Sequence, residues 1–405
     1  MSSTPAPPPA RPVRIPPKPQ PLFLPRTALT DLVAALISRG YTVIGPTFHD
    51  GAISYRPITG VEQMAHGLRD KQEPGTYRVL PGDPDLMFEE VVSFDSPKRF
   101  LFPPTQRLYQ FHLEKEQFVL DAGPPQVPKL AIFGLRSCDL AAIRTQDRVF
   151  GAGDPETLRC ESETYYSEAR RQVFLIVVNC TNPGGTCFCV SMGTGPEAHD
   201  HFDIALTELR GGFVITTGSP EGAEIVGDLP TRECSSAELE LAELKLRGAH
   251  EHMGRKLETT NLKKILDESL EYPEYDDVAK RCLSCGNCTL VCPTCFCSTV
   301  SDTTDLGGAA INGGKTTRTR KWESCFTHQF TYTTAGPDRN TIRGRYRHWL
   351  HHKLATWFDQ FGECGCVGCG RCITWCPVGI DITAEATRLR ASHVTAVAAA
   401  QEVAQ

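Results

Sequence analysis

The fold of this chain is decided by one cysteine pattern that occurs twice, first as Cys282-Leu-Ser-Cys285-Gly-Asn-Cys288-Thr-Leu-Val-Cys292-Pro293 and again as Cys366-Val-Gly-Cys369-Gly-Arg-Cys372-Ile-Thr-Trp-Cys376-Pro377. Both copies read C-x2-C-x2-C-x3-C-P, a run typical of proteins that hold two iron–sulfur clusters. In this run the first three thiolates bind one 4Fe–4S cluster, and the fourth, followed by proline, binds the other. The sequence therefore predicts two 4Fe–4S clusters with crossed ligands.

The crossing assigns every cysteine of the two runs to one cluster. Cluster one takes Cys282, Cys285, Cys288 and Cys376, and cluster two takes Cys366, Cys369, Cys372 and Cys292. Because the crossing folds the chain back on itself, we expect the two clusters to lie close together and to carry electrons. The alternative is a pair of structural zinc sites. Zinc takes four ligands, usually from two separated C-x2-C pairs. A zinc site would not explain the second C-x2-C spacing in each run or the proline that follows its last cysteine.

Composition restricts the class of protein. The chain has 405 residues, which suggests two or three domains, and 40% of them are hydrophobic, enough for globular cores. A net charge of -6 argues against binding to nucleic acid or to an anionic membrane. Cysteines used as metal ligands indicate a reducing compartment. No apolar segment is long enough for a membrane span and no signal peptide is visible, so we expect a cytoplasmic protein without membrane insertion.

The organisation predicted is that of an α+β multidomain protein, with an N-terminal α/β domain followed by an α-helical ferredoxin domain. The predicted segments are a proline-rich extended tail (1–26), the α/β domain (27–230), a helical connector (231–274), the α-helical ferredoxin domain with two 4Fe–4S clusters (275–385) and a C-terminal tail (386–405). The two cysteine runs fall in the ferredoxin domain. A glycine-rich loop at 307–314 lies between them.

Local patterns predict the elements of the first domain. Thr30 is expected to cap a helix that Gly40 ends, before a strand at 41–44. The remaining predicted elements are strands at 130–135 and 173–178, a helix between them at 140–149, and a hairpin of 202–209 with 212–217. Since a helix joins the strands at 130–135 and 173–178, they are expected to be parallel neighbours.

The second half of the chain reads as helical. Ser235 and Glu238 form a capping box at the start of a helical stretch over 235–270. A further helix is predicted over 343–361, with aromatic and aliphatic residues at helical spacing. Its basic residues are expected to form a solvated face rather than a metal site, and the second interpretation is a docking face for an acidic partner. These residues are Arg343, Arg345, Arg347, Lys353, His348, His351 and His352.

A third group of cysteines follows the two apolar strands. Cys138 comes directly after the strand at 130–135, and Cys180 ends the strand at 173–178. Cys187 and Cys189 follow in a glycine-rich loop that permits close approach to a bulky group. The carboxyl edge of such a sheet is where α/β folds bind ligands. These four thiols, or three of them with Asp139, are a candidate third iron–sulfur site, and the alternative is that they are small buried hydrophobic residues.

The other cysteines receive simpler interpretations. Four flank the cluster runs and are expected to pack around the clusters or to donate hydrogen bonds to their sulfides, which tunes the redox potential. They are Cys295, Cys297, Cys325 and Cys364, and packing is favoured over a fourth cluster. Cys160 and Cys234 have no visible partners.

No catalytic signature accompanies the cysteines. The chain has no G-x-S-x-G, no H-E-x-x-H, no P-loop and no G-x-G-x-x-G after a strand. A protein with iron–sulfur clusters and no substrate site is expected to be one subunit of a larger enzyme.

Four segments together resemble a known family. They are Arg136-Ser-Cys-Asp-Leu-Ala-Ala142, Asn179-Cys-Thr-Asn-Pro-Gly-Gly-Thr-Cys-Phe-Cys-Val-Ser-Met-Gly-Thr-Gly-Pro196, the stretch Arg281–Cys297 and the stretch Gly365–Asp381. They resemble the 4Fe–4S dicluster beta subunits of cytosolic nickel–iron sulfhydrogenases, and are similar also to the electron-transfer subunit of anaerobic sulfite reductase. The resemblance extends from about Gly40 to Thr383.

The resemblance implies an electron-transfer subunit that is not catalytic alone. The expected partners are a flavin subunit that oxidises or reduces NAD(P)H and the small and large subunits of a nickel–iron hydrogenase, or the catalytic subunit of a sulfite reductase. A different class of function stays open, that of a structural or redox-sensing iron–sulfur scaffold protein.

Overall fold

The computed structural model describes residues 20–403, except residues 115–116, 122, 124, 152–162 and 306–314. Most of the predicted proline-rich tail, Cys160 and the glycine-rich loop at 307–314 lie outside the described residues. The described chain is a mixture of helices and sheets, with a large sheet in its N-terminal half. None of its described helices is long and apolar enough to cross a membrane.

The elements are numbered in chain order. The strands are β1 (Leu22–Pro25), β2 (Thr42–His49), β3 (Ala52–Pro57), β4 (Leu68–Glu73), β5 (Thr76–Pro81), β6 (Thr105–Glu114), β7 (Gln117–Asp121), β8 (Leu130–Leu135), β9 (Phe174–Val178), β10 (Ile204–Leu209), β11 (Gly212–Thr217), β12 (Arg232–Glu233), β13 (Ser298–Thr304), β14 (Thr316–Trp322), β15 (Tyr332–Thr333) and β16 (Gly336–Pro337). The helices are α1 (Leu29–Ser38), α2 (Lys98–Leu101), α3 (Ser137–Phe150), α4 (Thr164–Gln172), α5 (Pro220–Gly227), α6 (Ser236–Glu251), α7 (Leu262–Glu268), α8 (Glu274–Arg281), α9 (Asn287–Leu290), α10 (Ile342–His351), α11 (Trp357–Phe361), α12 (Arg371–Thr374) and α13 (Ile382–Val403).

The large sheet has the strand order β12-β1-β11-β10-β9-β8-β2-β3. Its central strands β10, β9, β8 and β2 run parallel, and the outer strands pair antiparallel. Strands β8 and β9 are buried along their whole length, as expected where helices cover both faces. The parallel pairing of these two strands, predicted from the helix between them, is confirmed. It brings their carboxyl ends to one edge of the sheet.

Alternation along β8 divides the core into two layers. Phe133 packs into the layer beneath α1, and Ile132 into the layer beneath α3, because successive side chains of a strand point to opposite faces. The prediction that Thr30 caps α1 is wrong, since the helix begins at Leu29. A 3-10 turn at Arg26–Ala28 leads directly into α1, so the backbone is already helical at Thr30.

A second sheet joins the two halves of the chain. Its order is β13-β14-β6-β7, and β14 pairs antiparallel with β6. Strands β13 and β14 come from between the cysteine runs, whereas β6 and β7 precede the central strand β8. Strands β13 and β14 were not predicted, because Ser298–Thr304 and Thr316–Trp322 are rich in threonine and charged residues and lack alternating apolar residues.

Helices α7, α8, α10 and α13 form the core around the cysteine runs. Leu266, Tyr275, Leu350 and Ile382, one from each helix, are buried there together. The predicted helix over 343–361 is present, but a π-helical turn at His352–Thr356 separates α10 from α11. The capping box of Ser235 and Glu238 is confirmed at the start of α6.

Candidate metal centre

The two cysteine runs fold in the same way. In each run, a loop with two left-handed residues leads into a single helical turn, α9 in the first and α12 in the second. The left-handed residues occupy equivalent positions, Ser284 and Gly286 in the first run and Gly368 and Gly370 in the second. Three of these four positions are glycine because only glycine adopts this backbone without strain. The loops thereby turn successive cysteines towards a common centre.

Each group of predicted ligands contains one cysteine from the other run. We define the first cysteine group as the predicted ligands of cluster one. Burial raises the pKa of the Cys282 and Cys288 thiols, and the nearby sulfur of Cys376 raises it further. A cavity beside α9 is lined by thiols of both runs, namely Cys282, Cys285, Cys288, Cys372 and Cys376. The structure therefore brings Cys376 to the first run, as the crossed pattern requires.

The predicted ligands of cluster two form the second cysteine group. Burial raises the pKa of the Cys366 and Cys372 thiols, and the sulfur of Cys292 also raises it. Cys292 thus lies with the second run although it belongs to the first. The two groups adjoin, since the Cys288 sulfur acts on the Cys372 thiol. They differ in access to solvent, because Cys285 is exposed whereas Cys292 and Cys369 are buried.

Backbone amides point at several of these sulfurs. The N–H groups of Ser284 and Gly368 donate to the sulfurs of Cys282 and Cys366 at 3.3 and 3.4 Å. The N–H of Ile380 donates to the Cys376 sulfur at 3.3 Å. Donors of this kind stabilise a thiolate, which is the form that binds metal. The amides of Ser284 and Gly368 thereby partly offset the burial that raises the pKa of the Cys282 and Cys366 thiols.

A buried lysine contacts the second group. The Lys353 Nζ lies 3.2 Å from the Cys292 sulfur and 3.5 Å from the Cys295 sulfur. A hydrogen bond from the Cys295 thiol, together with this ammonium group, holds the pKa of Cys292 well below its usual range. The expectation of a solvated basic face is wrong for Lys353 and Arg345, which are both buried. The helical spacing of Trp349, Lys353 and Trp357 was the available signal, because it places the lysine on the apolar face.

The third cysteine group consists of Cys138, Cys180, Cys187 and Cys189. Cys138 lies in the first turn of α3, Cys180 follows β9, and the other two lie in the loop after it. Burial raises the pKa of the Cys187 and Cys189 thiols, and the sulfur of Cys180 raises both further. Cys138, Cys187 and Cys189 also share one buried cluster of side chains. The four predicted thiols therefore converge at the carboxyl edge of the large sheet.

The third group adjoins the second. Cys369 belongs to the same buried cluster, and the Cys187 sulfur lies 3.8 Å from the Cys369 carbonyl oxygen. The N–H of Phe188 donates to the Gly368 carbonyl at 2.8 Å. A Cβ atom at Gly370 would lie 2.4 Å from the Thr186 carbonyl oxygen, so glycine is required there for the loop to pack on the second run.

Asp139 is held by an arginine of the second run. Its carboxylate lies 2.8 Å from the Arg371 guanidinium, and both side chains are fully buried. The Nε of Arg371 also donates to the carbonyls of Ser93 and Asp95. The Asp139 carboxylate thus links α3 to α12 through Arg371. It does not separate the nearby thiols, which lie beside one another. Sequence reasoning missed Arg371, although a charged residue inside a buried cysteine run was a visible signal.

The remaining cysteines take different positions. The thiol of Cys325 donates a hydrogen bond to the Cys297 sulfur, and Cys364 lies 3.5 Å from the Lys353 carbonyl oxygen. Cys295 and Cys364 lie beside Cys292 and Cys366 of the second group, whereas Cys325 lies near Cys288 of the first. Cys234 packs against Leu209, far from the runs in sequence.

The donor set suits a cluster better than a single ion. Within the described ranges, no three His, Cys, Asp or Glu side chains gather closely enough to share one metal ion. A 4Fe–4S cluster spreads its ligands, because each thiolate binds a different iron at a different corner. Thiolates alone select soft metals and iron–sulfur clusters. The first and second cysteine groups therefore fit the two 4Fe–4S clusters that the spacing of their runs predicted, and the third group supplies thiols of the kind that iron–sulfur clusters use.

Comparison with known proteins agrees with this geometry. Residues 281–380 match the family described as the 4Fe-4S dicluster domain. The chain is 32% identical over 346 residues to sulfhydrogenase 2 subunit beta of Pyrococcus furiosus, an alignment that covers 84% of this chain and 89% of that protein. No solved structure matches the chain significantly. The family resemblance expected from the four cysteine-containing segments is thus confirmed, and the chain belongs to the family of sulfhydrogenase beta subunits.

Proposed function

We propose that this chain relays electrons through two 4Fe–4S clusters inside a cytoplasmic, multi-subunit hydrogenase complex. The first cysteine group holds cluster one and the second holds cluster two, in a mainly helical ferredoxin domain of residues 275–385. This domain follows the α/β domain of residues 27–230 and the connector of residues 231–274. The clusters supply one-electron transfer, and the chain's own residues ligate, insulate and orient them.

The observation that carries the proposal is the continuity of the three cysteine groups. Cys187 contacts Cys369 of the second group, and Cys372 of the second group adjoins Cys288 of the first. The first group in turn reaches the surface at Cys285. A row of soft ligands therefore extends from the edge of the large sheet to solvent. Such a row supports a relay better than an isolated structural site.

We propose further that the third cysteine group holds a third iron–sulfur cluster. All four thiols converge, and their charges act on one another. Asp139 is engaged by Arg371, so four cysteines form the complete ligand set in this proposal. Electrons then enter or leave the chain at this end through one partner, and at the exposed edge of cluster one through another.

The partners proposed are a flavin subunit for NAD(P)H and the small and large subunits of a nickel–iron hydrogenase. The name of the relative from Pyrococcus furiosus supports the hydrogenase assignment over the catalytic subunit of a sulfite reductase. A structural or sensory scaffold is the competing function. It requires no reversible electron uptake.

The test is anaerobic purification of the full chain with its native partners. We expect nickel–iron subunits in the purified complex, and iron–sulfur signals in electron paramagnetic resonance (EPR) that appear on reduction and disappear on reoxidation through repeated cycles. Co-purification with a sirohaem subunit would instead support sulfite reductase. Clusters that decay on reduction, or that accept no electron, would contradict the relay.

A further inference from the structure

Two lysines are buried beside the second cysteine group. Lys98 begins α2, Lys353 lies in the π-helical turn, and each is 2% exposed. A buried ammonium group is costly unless a counter-charge or strong hydrogen bonds compensate for its lost water. Short π-helical turns occur frequently at functional sites. The position of both lysines therefore needs an explanation.

The contacts of Lys353 are sulfur, hydroxyl and carbonyl atoms. Besides the sulfurs of Cys292 and Cys295, its Nζ lies 3.1 Å from the Thr294 hydroxyl and 3.2 Å from the Gly365 carbonyl. The negative charges that act on it come from thiols, with Cys292 first. In the described part of the chain, no carboxylate forms a salt bridge with it.

Lys98 is buried near the same sulfurs. Its Nζ donates to the Leu290 carbonyl at 3.0 Å and lies 4.0 Å from the centre of the Trp322 ring. Burial lowers the pKa of Lys98 to about 8, and the sulfurs of Cys295 and Cys292 are the leading groups that raise it and so favour the ammonium form. Two buried cations thus face the Cys292 side of the second group without a carboxylate partner among the described residues.

The first cysteine group has a different environment. The Arg345 guanidinium acts on Cys282, but less strongly than burial and the neighbouring sulfurs do. Cys285 is exposed, and water and salt weaken electrostatic effects at the surface. Arg371 acts on Cys369 of the second group, but Asp139 neutralises it. The excess positive charge is therefore concentrated on the second group.

We propose that Lys353 and Lys98 raise the reduction potential of cluster two above that of cluster one, so that the transferred electron resides on cluster two. An added electron increases the negative charge of an iron–sulfur cluster, and nearby buried cations favour that reduced state. The electron that cluster two gains is lost by cluster one or by the partner's donor group, and no bond forms or breaks. This inference rests on the proposed function and adds to it which of the two clusters is reduced first.

The experiment is an EPR-monitored redox titration of the purified, cluster-loaded full chain. Wild-type protein should reduce cluster two before cluster one, and loss of one signal in Cys372→Ala identifies cluster two. In Lys353→Met, the electron distribution between the clusters should shift at least tenfold towards cluster one, about 59 mV for one electron. Lys98→Met should shift it in the same direction. Lys280→Met, at an exposed position, should change neither midpoint.

The outcomes separate this inference from the proposed function. If wild-type protein lacks two reducible 4Fe–4S signals, the relay itself fails. If both signals are present but neither lysine variant moves the midpoint of cluster two relative to cluster one, only the role of the lysines is overturned. If Lys353→Met prevents loading of cluster two, the midpoint of cluster two in Lys98→Met tests the role of the lysines instead. This variant removes no direct contact with a sulfur.

Discussion

At the scale of single residues, Cys292 connects the two runs. It follows α9 in the first run, yet its sulfur lies with Cys366 and Cys372 of the second. Cys295 and Lys353 donate hydrogen bonds to this sulfur, and the Thr294 hydroxyl lies 3.2 Å from it. A residue so placed is expected to act as a ligand of the cluster held by the other run.

We predict that Cys292→Ala impairs cluster two and leaves cluster one largely intact. The reason is that the variant removes one of four thiolates from the second group and none from the first. Iron analysis and EPR of the purified variant provide the measurement, and the matched control is Cys376→Ala, which should impair cluster one. A loss confined to cluster one in Cys292→Ala would contradict the crossed assignment.

A second prediction at this scale concerns the third cysteine group. Cys138→Ala in the full chain should lower the iron content from about 12 to about 8 atoms per chain, with both ferredoxin-type signals preserved. The full chain is needed because Cys369 and Gly368, from the second run, pack against this group. Cys234→Ala is the control and should change nothing. Wild-type protein with about 8 irons would make these thiols ordinary core residues.

At the scale of elements, the Asp139–Arg371 pair joins the start of α3 to α12. Both side chains are fully buried, so removal of one partner leaves an uncompensated buried charge. Asp139 Oδ2 also accepts the N–H of Arg136 at the helix start. The pair therefore holds the sheet edge against the second cysteine run.

We predict that Asp139→Asn lowers the free energy of unfolding by about 3–5 kcal/mol. The urea midpoint of the full chain, followed by circular dichroism, gives the measurement. Asp302→Asn breaks the exposed pair with Arg318 and should cost only about 0–1 kcal/mol. In native buffer Asp139→Asn should keep the wild-type iron content. A folded variant that has lost the iron of the third group would instead identify Asp139 as a ligand.

At the scale of the whole molecule, the three cysteine groups form one continuous row, which the proposed relay uses as its path for electrons. The first cysteine group reaches the surface at Cys285, and the third lies at the carboxyl edge of the large sheet, packed against Cys369 of the second run. Sheet β13-β14-β6-β7 ties the halves of the chain together. This tie is expected to keep the cysteine groups at fixed separations.

We predict that the isolated chain turns over neither hydrogen nor NAD(P)H. In the complex, Cys372→Ala should abolish electron transfer between NAD(P)H and hydrogen while each half-reaction with an artificial dye persists. Dye-linked and coupled assays on the same preparation measure this, with Cys234→Ala as the matched control. Turnover by the single subunit, or coupled activity that survives Cys372→Ala, would refute the relay.

The sequence by itself determined the features that depend on short-range spacing. The cysteine runs, the capping box at Ser235 and the parallel strands β8 and β9 were all predictable, because each rests on a fixed offset along the chain or on a short connection. The family resemblance followed from the same segments. The start of α1 was misjudged because a turn before it decided where the helix begins.

Only the tertiary structure decided which groups meet across long separations. The burial of Lys353 against Cys292, the pairing of Arg371 with Asp139 and the sheet shared by β6 and β14 each join residues far apart in the chain. The local sequence around a polar or charged side chain does not indicate which distant residue it will contact. Their environment is set only by the folded core. A charged group that becomes buried requires a partner, and burial depends on the tertiary structure rather than on sequence spacing.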